Sequence, residues 1–317
     1  MKEPSQGNPK SVIVAGGSGF IGRSLCRALL SSGYRVTVLT RGAAKPPSAE
    51  PQGGLPEYVT WDARTDSYWG HLADGAHALV NLAGEGIAEG RWTSERKRLI
   101  LESRVHAGEA MLAAVTKASV KPRVFLQGSA VGYYGDTGDE AVDESSPPGT
   151  GFLTEVCLKW EASTRAVEDM GVRRVVVRTG LVLGRGGGVL QKMLAPFKLF
   201  VGGAFGDGSQ GFPWIHMEDE VGAMVFLLEN AAASGPYNLT APESVSNLDF
   251  CRHLGQAMSR PCGLSVPSAA LKLAMGGEMA NELLLTGCRA FPKRLVELGF
   301  EFRHPRLGEA LKEIMQQ

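Results

Sequence analysis

The chain has 317 residues, enough for one large domain or two moderate ones around a packed core, which excludes a disordered or peptide-like protein. Lys plus Arg and Asp plus Glu each number 33, so the formal net charge is zero and no basic excess is present to hold a nucleic-acid backbone or an anionic membrane surface. Glycine is the outlier at 41 residues, about 13% of the chain against a usual level of about 7%, so backbone must approach a ligand closely or turn tightly in many places.

The first ten residues lack the apolar stretch of an export signal, and no run reaches the roughly 18 apolar residues of a membrane span. A cytoplasmic protein is expected. Ser11-Val-Ile-Val-Ala15 reads as a buried strand ending abruptly in glycines. The stripe Ile21, Leu25, Cys26, Ala28, Leu29 predicts a helix of about twelve residues closed by Gly33. Arg35–Thr40 is again strand-like and completes a β-α-β unit. A Pro-, Gly- and Ala-rich loop covers 42–56. Strands follow at 58–61, 78–83 and 122–127, a helix at 94–118, a second helix at 152–170 and a sixth strand at 173–178.

This alternation predicts an α/β fold with a doubly wound parallel sheet. Past Gly180 the rhythm breaks into Gly184-Arg-Gly-Gly-Gly188, an apolar helix at 189–200, and short helices, one opened by Val266-Pro-Ser268 and one at 291–299. The expected division is a dinucleotide-binding domain over 11–180, a segment 181–250 shared between sheet and substrate lobe, and a small helical C-terminal domain over 251–317. Five widely spaced cysteines without a Cys-x-x-Cys pair fit reduced thiols, and six histidines without ligand spacing give no reason to propose a metal.

Gly16-Gly17-Ser18-Gly19-Phe20-Ile21-Gly22 sits at the first strand-to-helix turn with glycines spaced G-x-x-G-x-x-G. One glycine serves the turn, one the approach to a pyrophosphate and one the packing of helix on strand, so the segment reads as a dinucleotide loop. The second strand ends Leu39-Thr40-Arg41, and the next acid is Glu50. A carboxylate at that strand end would repel a ribose 2′-phosphate, whereas the Arg41 guanidinium holds one, so NADP(H) is favoured over NAD(H). Asp62 is placed either to contact the adenine edge or to cap a turn. Asn81-Leu82-Ala83-Gly84 ends the fourth strand with a small-residue turn against the cofactor.

These segments, with Gly128-Ser129-Ala-Val-Gly-Tyr133-Tyr134-Gly135, Arg178-Thr-Gly-Leu-Val-Leu-Gly184 and Pro213-Trp214-Ile-His216-Met-Glu-Asp219, resemble the extended short-chain dehydrogenase/reductases. More narrowly they resemble the atypical, epimerase-like branch, whose C-terminal domain of unknown function is similar to the last fifty or so residues here. The resemblance implies NAD(P) in the crevice, a small-molecule substrate between sheet and C-terminal lobe, a catalytic Ser or Thr after the fifth strand, and a Tyr-x-x-x-Lys on the next helix. Ser129 matches the former.

The Tyr-x-x-x-Lys is missing. If Glu161 is the glutamate that follows the family's lysine by four places, Leu153 and Cys157 occupy the Tyr and Lys positions. Lys159 then points elsewhere. Three other proton carriers are open: Tyr133 and Tyr134 beside Ser129, and Glu155, which is spaced i, i+4 from Lys159 and reads equally as a surface ion pair. Arg185 in the glycine-rich loop, Arg91-Trp92, Trp214 and His216 are tentative substrate contacts, with connector or packing roles as the alternatives. Two functions are carried forward: hydride transfer to or from a small polar carbonyl or carbinol compound, sugar nucleotides included, and a non-catalytic NADP(H)-binding protein that serves a protein partner.

Overall fold

The computed structural model describes residues 10–42 and 54–316. The loop over 42–56, with Glu50, therefore lies largely outside the described residues. In chain order the elements are β1 (Ser11–Ala15), α1 (Phe20–Ser31), β2 (Arg35–Thr40), β3 (Glu57–Thr60), β4 (Ala78–Asn81), α2 (Ser94–Lys117), β5 (Val124–Ala130), β6 (Ala141–Val142), α3 (Phe152–Ala162) and β7 (Arg173–Thr179). They continue with β8 (Leu181–Leu183), α4 (Gly188–Lys198), β9 (Trp214–His216), α5 (Met217–Glu229), β10 (Gly235–Leu239), α6 (Asn247–Met258), α7 (Ser268–Met275), α8 (Gly277–Ala280), β11 (Arg289–Ala290), α9 (Lys293–Glu297) and α10 (Leu307–Gln316).

Seven strands form one parallel sheet in the order β10-β7-β5-β4-β1-β2-β3. The chain leaves β1 for β2 and β3 on one side, then returns to β4 on the other. That reversal opens a crevice at the C-terminal ends of β1 and β4, where doubly wound sheets bind ligands. Apolar residues of β1, β4 and β5 alternate between two cores. Val12, Val14, Val80 and Leu126 pack toward α1 and α5, whereas Ile13, Leu79 and Phe125 pack toward α2. A third core joins α4, α6 and α10 around Trp214, Phe212 and Phe250.

Three boundaries differ from expectation. β10 is a seventh sheet strand, and Gly235-Pro236 at its start masks it in the sequence. α3 stops at Ala162, and the chain continues as a 3-10 turn over Arg165–Met170. Thr164 there is fully buried; its hydroxyl donates to Gln127 Oε1 and accepts from Arg174 Nε, tying the chain to the sheet. β4 ends at Asn81, because Leu82 and Ala83 leave the ladder to pass over the glycine loop.

Candidate functional site

The glycine loop turns at Gly16, whose φ of +82° is costly for any residue with a Cβ. A Cβ there would lie 2.6 Å from the Leu82 carbonyl carbon, and one at Gly22 only 2.1 Å from Gly16 O. Loop, helix and β4 end are thus packed backbone to backbone. Gly19 caps α1 without a side chain, and no acid stands in the helix's first turn. Its opening amides and positive helix end therefore fit an anionic group such as a pyrophosphate. Gly17, Ser18 and Ile21 complete this turn; Arg23 Nη1 donates to Ser18 O. Phe20 faces outward from it, and the Gly184–Gly188 loop wraps its ring: a Cβ on Gly187 would lie 2.5 Å from it.

Around the crevice, Asn81 is fully buried; its amide donates to Gln127 Oε1 at 3.1 Å and its Oδ1 accepts from Ala83 N at 3.3 Å, fixing the path of Leu82-Ala83. Asp62 accepts from Arg64 N, Thr65 N and the Thr65 hydroxyl, and these bonds hold its carboxyl below the usual range. Thr40 Oγ1 accepts from Gly42 N at 3.5 Å. Arg41 is exposed, and its Nη1 meets Glu85 Oε1 at 2.7 Å across the crevice rim. That contact, reinforced by Arg96, holds the Glu85 carboxyl below its usual range.

Beside the crevice lies a largely apolar cleft of about 400 Å³, lined by β5-end residues Ala130, Val131 and Gly132, by Leu153, Val156, Cys157 and Trp160 of α3, by Ile87 and Arg104, and by Phe205, Phe212 and Leu283. Leu153 and Cys157, read from the sequence as standing in the Tyr and Lys positions, both face it. Burial pushes the Cys157 thiol up to about 11, and it donates to Ala130 O.

Ser129 does not line the cleft: it is 4% exposed, lies behind Cys157 and donates to Glu161 Oε1 at 2.7 Å, while its neighbour Ala130 meets the cleft. Arg178 clamps the same carboxylate through Nε at 2.9 Å and Nη2 at 3.1 Å.

The other proton carriers are also engaged elsewhere. Tyr134 is buried, its hydroxyl donating to Asn238 Oδ1 at 2.7 Å and accepting from Arg178 Nη1; burial pushes it up to about 12. Tyr133 lies flat under the Arg178 guanidinium, 3.4 Å from its ring centre. Glu155 and Lys159 form an exposed ion pair at 2.6 Å and do not line the cleft.

Of the tentative substrate contacts, Trp214 is fully buried in the third core. Arg185 donates to Ile314 O of α10. His216 caps α5, its Nδ1 accepting from Glu218 N and its Nε2 3.2 Å from Glu313; burial lowers it to about 4, so it is neutral at pH 7. Arg91 donates to the Leu273 and Ala274 carbonyls of α7. Trp92 stacks edge-on with Phe152 and donates to Ile87 O, so it shapes the cleft from behind.

Two charged groups escaped the sequence reading: the half-buried Arg104 on α2 and the fully buried Glu220 on α5, which no local motif marks.

A model of the NAD dependent epimerase/dehydratase family matches residues 12–240. The chain belongs to that family. This epimerase-family chain also matches, over 266–314, a domain of unknown function, DUF1731. It is 40% identical over 300 residues to an epimerase family protein of Mycobacterium tuberculosis, covering 95% of this chain and 96% of the relative. A crystal structure of the human epimerase family protein SDR39U1 with NADPH superposes with a TM-score of 0.88 at 36% identity, covering 97% of this chain and 99% of that one. A nucleoside-diphosphate sugar epimerase of Corynebacterium glutamicum is 32% identical with a TM-score of 0.75, but the match covers only 58% of that longer chain. As an atypical extended short-chain dehydrogenase/reductase, the chain has the expected parallel sheet and C-terminal helical lobe. Among the described residues no helix is long and apolar enough to cross a membrane.

Proposed function

We propose that the chain binds NADP(H) across the β1–β4 crevice and presents the nicotinamide to a carbonyl or carbinol carbon of a small organic ligand in the adjoining cleft. The observation that carries this reading is the adjacency of the two spaces: the Leu82–Gly84 segment that covers the glycine loop also backs Arg104, which lines the cleft. The similar human structure with NADPH supports it. When bound, the cofactor supplies or accepts a hydride. The chain's own residues contribute the uncapped α1 terminus for the pyrophosphate, Arg41 for a 2′-phosphate, and an apolar wall that excludes water from the reacting carbon.

Arg41 must exchange Glu85 for the phosphate. NADPH is therefore expected to bind more tightly than NADH by nicotinamide fluorescence. Arg41→Ala should lower NADPH affinity by about tenfold, the worth of one charge-assisted contact, and leave NADH nearly unchanged. Equal binding of the two cofactors, or an Arg41→Ala variant with both affinities intact, overturns the preference.

A second reading, a cofactor-binding protein without turnover that serves a protein partner, is favoured by one observation. Among the described residues no tyrosine lines the cleft, and Ser129 is held by Glu161. Absorbance of NADPH against a carbonyl panel separates the two: oxidation supports the enzyme, and tight cofactor binding with no oxidation across the panel favours the second reading.

A further inference from the structure

The cleft contains one cation among the described residues that line it, Arg104, against the two acids Asp136 and Glu282. Glu282 is committed to the start of α3, where its carboxylate accepts from Phe152 N at 2.9 Å and Leu153 N at 2.8 Å. Arg104 is held at one nitrogen only. Its Nη1 donates to Glu85 O at 3.0 Å and Ile100 O at 2.9 Å, while the guanidinium lies 5.1 Å from the Trp160 ring centre. Gly84 makes the room, since a Cβ there would come within 2.8 Å of Arg104 Cζ.

Nε and Nη2 have no hydrogen-bond partner among the described residues and keep some exposure, and Arg104 lines the cleft. Among the described residues no carboxylate stands within ion-pair distance of Arg104; Glu85, the neighbouring acid, is taken by Arg41 and Arg96. Burial lowers Arg104 to about 10, so it is still charged at pH 7. A half-buried cation without a counter-ion among the described residues is costly, and two adjacent free N–H donors match the two oxygens of a carboxylate.

From this geometry we propose that the cleft takes a small apolar monocarboxylate, anchored by Arg104 Nε and Nη2, and excludes nucleoside-diphosphate sugars. One cation balances one negative charge. A diphosphate would bring at least two into an apolar space whose other charged groups are acidic. The volume of about 400 Å³ lies at the small end of the roughly 300–1,000 Å³ usual for ligand sites, and Val131, Leu153, Val156 and Phe212 offer the apolar body its surface.

The proposal rests on the reading that this cleft is the substrate site, so binding is measured without requiring turnover. Calorimetry on the full chain, with and without saturating NADPH, compares 4-methyl-2-oxopentanoate, phenylpyruvate, the amide of each, and UDP-glucose. The acids are expected to bind and the amides to bind at least about tenfold more weakly, the loss expected for a charged hydrogen-bonded pair. UDP-glucose is expected not to bind. Arg104→Gln should remove the acid-over-amide preference while NADPH affinity, read by nicotinamide fluorescence, stays within about twofold; Arg104→Lys should restore part of the preference.

Equal binding of acid and amide, no binding of either acid, or binding of UDP-glucose with NADPH saturating overturns the proposal on the unaltered protein alone, even if the variants do not fold. Loss of NADPH affinity in Arg104→Gln with acid binding intact assigns Arg104 to the cofactor and overturns it too. Failure to bind NADPH, with acid binding intact, refutes the proposed cofactor role and leaves the carboxylate site standing.

Discussion

Glu220 shows how a single residue sets a pH dependence. It is fully buried on α5, accepts the Thr179 hydroxyl at 2.8 Å on one oxygen and leaves the other unpartnered; burial raises its carboxyl from 4.5 to about 8. Between pH 4.5 and 8 the folded chain keeps a proton that the unfolded chain has released, so this residue's contribution to stability falls as pH rises through that window. Glu220→Gln keeps an acceptor for Thr179 and removes the ionisation. Its melting temperature should exceed that of the unaltered chain by a few degrees at pH 8, with the gap closing near pH 5; a gap that widens toward pH 5 would contradict the assignment. Nothing in the sequence Met-Glu-Asp-Glu-Val distinguishes Glu220 from its exposed neighbour Glu218, because burial is set by which face of α5 meets the sheet.

At the scale of elements, the strand–glycine loop–helix unit was readable because its constraints are local: a β-branched run, glycines at fixed offsets and an apolar stripe lie within twenty-one residues, Ser11–Ser31. Gly22 is the tightest point. An added Cβ would meet the backbone at Gly16 O and, at 2.7 Å, Gly17 Cα, so the loop itself must move. Gly22→Ala is expected to cost roughly 1–3 kcal/mol in denaturant unfolding and to weaken NADPH binding at least about tenfold by fluorescence titration. An Ala variant with native cofactor affinity would mean the loop does not hold the pyrophosphate. The end of α3 was misread for the opposite reason. Thr164 leaves the helix for partners on β5 and β7, Gln127 and Arg174, which are distant in sequence or unmarked as partners.

Across the whole molecule, buried carboxylates help fasten the C-terminal segment to the sheet domain, Glu144 at Arg294 N and Asp219 nearer α10. Asp219, 1% exposed near the start of α5, accepts Arg303 N at 2.7 Å and His304 N at 2.9 Å, just ahead of α10. Arg185 and His216 add contacts to the same helix, at Ile314 O and Glu313. Arg185 and His216, read from the sequence as substrate contacts, thus also join two parts of the fold. Asp219→Ala leaves two backbone donors without their charged acceptor, at a cost of roughly 3 kcal/mol. Limited proteolysis should then cut first near residues 300–306, with the sheet domain surviving longer; simultaneous loss of both parts would show that the lobe is held by its apolar core alone.

The sequence by itself determined the parallel α/β sheet, the phosphate loop and the lack of a Tyr-x-x-x-Lys, because periodicity, turn chemistry and i, i+4 spacing act within a few residues. Only the tertiary structure decided what faces the cleft. Ala130 meets the cleft while Ser129 beside it is held by Glu161, and the Tyr134 hydroxyl is engaged by Asn238 and Arg178. It also placed Arg104, one of 33 Lys and Arg in a chain with no net charge, as a cation without a counter-ion. Pairing and burial of charge depend on contacts between segments far apart in the chain, and local sequence patterns do not encode them.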